Sequence, residues 1–193
     1  MSTLYNTASF RGDKFFLSNM SPCKIVLNEF ALGLSYVKVS PKPDFIYPTV
    51  EHAYQSLRTT NHEDWMKLAT ATNPWEAKKI AKSVKCRPDW RMNCWKIMIC
   101  LLYFKFGKDR DLAYKLINTG SEELREENYW RDEYWGIDMN TGKGLNYLGK
   151  MLMLIRKMLK QNNTSFWYNK NINVDKDRVS NLMWQFRELY NPK

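Results

Sequence analysis

Histidine, cysteine, glycine and long apolar runs are all sparse in this 193-residue chain. With only His52 and His62, little room is left for a histidine-based mechanism. The four cysteines, Cys23, Cys86, Cys94 and Cys100, form no Cys-x-x-Cys pair, which argues against a structural zinc site and reads as reduced thiols of a cytoplasmic protein. No metal and no cofactor are expected. Eight glycines are few, and none builds a phosphate loop: there is no Walker motif, and Gly142-x-Gly144 lacks the rest of a dinucleotide fingerprint. No Gly-x-Ser-x-Gly elbow is present. The longest uncharged apolar stretch, Ile97 to Phe104, is eight residues, too short to cross a bilayer, so no membrane partner is expected. Residues 1–20 show no basic segment followed by an apolar one, and no secretory signal is read there. For an enzyme, carboxylate chemistry remains.

What is abundant is hydrophobic and basic. Hydrophobic residues make up 44% and aromatics 15%, enough for one sizeable core. A net charge of +10 favours anionic partners such as phosphates, nucleotides or nucleic acid. The charge is uneven: residues 74–115 carry eleven Lys/Arg against four Asp/Glu, and residues 121–135 carry six acidic against two basic. A basic face beside an acidic segment suits a phosphorylated ligand held near working carboxylates, although Lys-rich helices are commonly just solvated faces. The Lys- and Asn-rich composition suggests an AT-rich genome, such as that of a virus of bacteria.

Periodicity predicts an α+β, mainly helical chain. Short extended pieces are expected at Phe15-Phe16-Leu17, Ile25-Val26-Leu27 and Tyr36-Val37-Lys38-Val39, with a loop or hairpin over 34–46. Thr49 caps a helix from Val50 towards Ala71 with a candidate break at Asn61, and Asn73-Pro74-Trp75-Glu76 starts another running to about Val84. Further helices are expected over 92–106, apolar all round and so central, over 109–118, and over 145–160, with Ser121 capping a turn or two between the last pair. Residues 161–172 read as an Asn-rich connector, and Asp177 caps an amphipathic helix over 178–190. The expected division is a domain over 1–160, followed by the connector and a C-terminal helical appendage over 161–193.

Several ordered strings are more particular than composition. Phe16-Leu17-Ser18-Asn19-Met20, Tyr47-Pro48-Thr49-Val50-Glu51-His52-Ala53-Tyr54-Gln55, the helix from Pro74, Trp90 with Met98 and Lys105-Phe106, and Thr119-Gly120 with Glu126 come in sequence. Asp132-Glu133-Tyr134-Trp135-Gly136 and Asn146-x-Leu148-Gly149-x-x-Leu152-Met153-x-x-Arg156 follow. Together they resemble the NADAR (YbiA-like) family over roughly residues 8–160. The resemblance implies a compact, mainly helical α+β domain with N-glycosidase chemistry on ribosylated or ADP-ribosylated compounds. The chain departs from the pattern at Arg58, where a lysine is common, by one extra residue between Glu126 and Trp135, and in the 34–46 insertion and the tail.

Breaking a ribose C1–N bond needs negative charge near C1, a positioned water and help for the departing base. Glu51, in the first turn of its helix, is the first candidate catalytic carboxylate. Asp132 is the second, for holding ribose hydroxyls or sharing water activation, or else a turn cap. Glu51, Gln55 and Arg58 share a helix face, so Arg58 either meets a ligand phosphate or pairs with Glu51. His52 reads as a packing histidine. Trp90 and Trp135 are candidates for stacking a flat ring. Asn19 and Asn146 are candidate amide donors to ribose or base, Lys143 in its Gly-Lys-Gly turn a phosphate contact, and Gly136 part of the same binding set. Arg156 is placed to bind ligand or to brace Glu126 in a buried pair. The leading expectation is hydrolysis of an ADP-ribosyl base, as in ADP-ribosylguanine of DNA, or of a phosphoribosylamino intermediate of riboflavin synthesis. A binding module for NAD or ADP-ribose in phage defence or counter-defence, without turnover, is the alternative. A nucleic-acid-binding protein with a vestigial pocket is the third.

Overall fold

The computed structural model describes residues 7–27, 45–161 and 172–192. The chain enters through strand β1 (Thr7–Ser9), a 3-10 helix (Gly12–Leu17) and β2 (Pro22–Val26), and resumes at β3 (Ile46–Thr49). Helices α1 (Val50–Ser56), α2 (His62–Ala69), α3 (Pro74–Ile80), α4 (Trp90–Lys108) and α5 (Arg110–Asn118) follow. Then come β4 (Glu123–Arg125), β5 (Glu127–Asn128), β6 (Ile137–Asp138), α6 (Tyr147–Gln161) and α7 (Ile172–Tyr190). The result is α+β and mainly helical. The strands form three pairs: β1 with β4 parallel, β2 with β3 antiparallel, β5 with β6 parallel.

Local signals account for most helix starts. Thr49 Oγ1 accepts from the His52 amide, Asn61 Oδ1 from Asp64, Asn73 Oδ1 from Glu76, and Asp109 Oδ1 from Asp111 and Leu112. Each cap satisfies amides that have no intrahelical partner. α1 closes at Ser56, short of the expected break at Asn61, and after a turn Asn61 caps the start of α2. α4 is buried on nearly every side from Ile97 to Gly107 and packs against α1, α5, α6, α7 and β2, as an all-apolar helix must. Val179, Leu182 and Phe186 of α7 are buried, with the Phe186 ring stacked on Trp95 and edge-on to Tyr147.

Four expectations are corrected. Phe15-Phe16-Leu17 is not extended: with Gly12 at φ +55°, the Lys14 amide bonds Arg11 O and the segment closes as a 3-10 helix. Glu123–Arg125 is a strand, not a helical turn, because β1, over a hundred residues earlier, supplies its hydrogen-bonding edge. The helix from Pro74 closes at Ile80, short of Val84. α7 begins at Ile172, ahead of the expected Asp177 cap. Residues 34–44 of the insertion and 162–171 of the connector lie outside the described residues.

A buried cation pins the turn after the 3-10 helix to the central helix. Lys105, 1% exposed on α4, donates from Nζ to Ser18 O (2.7 Å) and Ser21 Oγ (2.6 Å), clamping residues 18–21. Burial pushes its ammonium down to about 8.

Candidate active site

A cavity of about 680 Å³ opens between the 18–20 turn, the inner face of α1, the ends of α3 and α4, and the 126–135 segment. Its volume falls in the roughly 300–1,000 Å³ range usual for small-molecule sites. Glu51, 2% exposed, forms part of its wall. The Glu51 amide donates to Asn19 O (2.9 Å), and the carboxylate is gripped at both oxygens. Asn19 Nδ2 donates to Oε2, and Gln55 Nε2 donates to Oε1 at 2.7 Å. The Gln55 amide cannot be turned round, because its Oε1 accepts from Arg58 Nη1 (2.9 Å) and a guanidinium only donates. Burial raises the Glu51 carboxyl above its ordinary range; Lys78 and the Gln55 donor pull it back.

Arg58 thus reaches Glu51 through Gln55 and does not pair with it directly. Its Nε and Nη2 point to Cys86 Sγ (3.2 and 2.9 Å), and its guanidinium lies 5.8 Å from the Trp90 ring centroid. Trp90 and Trp135 both line the cavity and both pack on Tyr54, at centroid distances of 4.8 and 5.7 Å. Asp132 lines it too, but its Oδ1 caps the following turn, accepting from the amides of Tyr134 (3.2 Å) and Trp135 (2.9 Å). His52 is turned away: Thr49 Oγ1 lies 2.8 Å from Nδ1 and Ala71 O 3.1 Å from Nε2, a fully satisfied neutral ring whose pKa burial lowers.

Three residues expected at the ligand do not line this cavity. Lys143 is exposed on a separate turn, where its carbonyl accepts from the Asp138 amide (2.8 Å). Gly136 is packed so closely that a Cβ there would lie 2.1 Å from Glu126 O. Asn146, buried at φ +50°, spends its side chain on the main chain of 124–126. Arg156 does not brace Glu126; it donates to Thr119 Oγ1 (2.6 Å) and Glu122 O (2.9 Å).

Sequence pattern assigned no site role to Lys78, Tyr54, Asn128 or Trp130, and gave Glu126 only an ion pair. Asn128 organises the wall loop: its Oδ1 accepts from Trp130 and Asp132 amides and its Nδ2 donates to Asp132 O and Ile137 O. Glu126, like its neighbour Glu127, also lines the cavity, and its Oε2 is shielded with no hydrogen-bond partner among the described residues. At the mouth, exposed Trp75 and Trp130 meet edge to face at 6.1 Å, with Lys78 Nζ 5.3 Å from the Trp130 centroid and Arg11 nearby on the rim. No local pattern marks these groups, since α3 and the 126–135 segment meet only on folding.

This cavity, walled by a buried, amide-held carboxylate with aromatic rings and cations around it, lies in a mainly helical α+β domain. The model of the NADAR domain matches residues 7–160, and the chain belongs to that family. It is similar to a riboflavin biosynthesis protein of Vibrio vulnificus, 26% identical over 151 residues, covering 76% of this chain and 36% of that protein. It thus spans just over a third of the Vibrio protein. An N-glycosidase of Nostoc punctiforme is 33% identical over 122 residues, covering 61% of this chain and 77% of the relative. The solution structure of Escherichia coli YbiA superposes with a TM-score of 0.67 at 23% identity, covering 83% of this chain and 89% of that one, a likeness of fold.

Proposed function

We propose that this protein is an N-glycosidase that hydrolyses a ribosyl C1–N bond, with an ADP-ribosylated base as the preferred substrate class. The observation that carries the reading is Glu51: a carboxylate in the cavity wall whose two oxygens are each fixed by an amide donor. As C1–N lengthens, positive charge spreads over C1 and the ring oxygen, and a fixed anion beside it lowers the barrier without reorganising. Water then attacks C1, the C–N pair of electrons leaves with nitrogen, and the water proton passes to Glu51. Trp90 and Trp135 offer flat faces for a ring. Arg58, Lys78 and Arg11 offer cations for phosphates, and the indoles of Trp75 and Trp130 extend the apolar surface outwards. That rim favours a ligand carrying several phosphates and more than one ring. N-glycosidase names among the relatives agree with the reaction class. The riboflavin biosynthesis name of the Vibrio relative favours a second substrate class, a phosphoribosylamino-pyrimidine.

The test is release of free ADP-ribose from an oligonucleotide carrying ADP-ribosylguanine, run beside a phosphoribosylamino-pyrimidine, with wild type and Glu51→Gln. Release from the oligonucleotide by wild type alone is expected. Turnover of the pyrimidine alone would reassign the substrate, and turnover of neither by folded protein would overturn the enzymatic reading.

A further inference from the structure

Two carboxyls of this cavity stand in opposite hydrogen-bonding environments. Glu51 receives a donor on each oxygen, whereas Glu126 Oε2 is shielded from solvent and has no partner among the described residues. An anionic oxygen without a donor is costly to bury, while a protonated carboxyl is far less so. The position of Glu126 is nonetheless tightly set. Its amide donates to Asn146 Oδ1 (3.1 Å) and its carbonyl accepts from the Ile137 amide (2.8 Å). Asn146 Nδ2 donates to Leu124 O (2.8 Å), so one side chain bridges both ends of 124–126. Gly136 presses on the Glu126 carbonyl, leaving no room for a side chain. Gly136 and Asn146 thus seat Glu126 at the cavity without lining it.

We propose that Glu126 is the proton donor to the departing base, with Gly136 and Asn146 as its positioning residues. This role rests on the N-glycosidase reading of the site. In the step, the Glu126 carboxyl gives its proton to the leaving nitrogen as that nitrogen takes the C1–N electron pair. The water oxygen bonds to C1 and its proton goes to Glu51. Glu126 ends ionised and Glu51 protonated, and proton exchange with solvent restores both. The surroundings match the role. Burial pushes the Glu126 carboxyl up to about 7; Lys78 and Arg11 oppose the rise, Asp132 and Glu51 add to it, and buried Lys105 feels the charge of Glu126 in turn. Burial raises both carboxyls, and what separates them is the donors: two fix the Glu51 oxygens in the form that accepts a proton, and none holds Glu126 Oε2, a division of base from acid work.

The experiment compares leaving groups. Guanine or an aminopyrimidine must be protonated to leave, whereas nicotinamide leaves a pyridinium riboside neutral and needs no proton. Wild type and Glu126→Gln are assayed from pH 5.5 to 9 on the ADP-ribosylguanine oligonucleotide and NAD⁺, or on the phosphoribosylamino-pyrimidine and nicotinamide mononucleotide. The donor form of Glu126 exists below its pKa, so wild-type kcat/KM for the proton-requiring substrate falls as pH rises through about 7. That limb is absent with the pyridinium substrate. Glu126→Gln lowers turnover of the first by about 10²–10⁴-fold and of the second by only a few-fold. Equal loss on both substrates by a folded variant, no loss on the first, or a wild-type profile flat through pH 7 overturns the proposal. If the variant fails to fold, the wild-type profile decides alone. Absence of wild-type turnover on every substrate sinks the N-glycosidase reading itself.

Discussion

Replacing Glu51 by glutamine changes one oxygen into an amide nitrogen in a site where every neighbour is known. Gln55 is locked by Arg58 with its NH₂ towards Glu51, so the introduced amide must turn its oxygen to Gln55. Its nitrogen then faces Asn19, whose amide can reverse and accept. Both contacts survive and a buried charge is removed, so unfolding free energy changes by no more than about 1 kcal/mol. Glu51→Ala instead leaves two amide donors without an acceptor. Each orphaned buried donor costs about 1–3 kcal/mol, and the adjoining cavity admits water, so the low end applies and the total is about 2 kcal/mol. Turnover responds differently: the fixed charge beside C1 is lost in both variants, and a fall of about 10²–10⁴-fold is expected in each. Urea unfolding with the ADP-ribose release assay separates the two effects. Turnover of Glu51→Gln within a few-fold of wild type would remove Glu51 from the chemistry. A Glu51→Gln variant as unstable as Glu51→Ala would refute the amide network.

Gly136→Ala places a Cβ 2.1 Å from the Glu126 carbonyl, which belongs to a paired backbone and cannot yield. A loss of about 3 kcal/mol is expected, roughly 6–12 °C in Tm for a chain of this length, and an unchanged melting curve would refute the packing argument. Lys105 supplies a pH test of stability. Its folded pKa of about 8 lies below the ordinary 10.5, so below pH 8 the fold carries a buried charge at a cost, and that cost disappears between about 8 and 10.5. The stability of wild type relative to Lys105→Met therefore rises by about 2–3 kcal/mol between pH 7.5 and 10, measured by urea unfolding of both; a constant difference would refute it.

Elements whose causes are local were legible along the chain. Caps at Thr49, Asn61, Asn73 and Asp109 act within three residues of themselves, and the all-apolar stretch after Lys96 has nowhere to go but the centre. Residue spacing also put Glu51 and Gln55 on one face, because a helix fixes that geometry before any packing occurs, whereas Arg58 follows in the turn after α1. The resemblance to the NADAR family marked Asn19, Trp90, Asp132 and Trp135, all of which line the cavity. The rest depends on packing between distant segments. Gly136 and Asn146 stand in matched strings like the cavity residues, and a string does not say which way a residue faces. Only the closing of the 136–146 segment over Glu126 turns both onto its main chain. The strand pair β1–β4 and the meeting of Lys78 with Trp130 likewise join residues far apart in sequence, whose contact is fixed by the packed core and not by any neighbour along the chain.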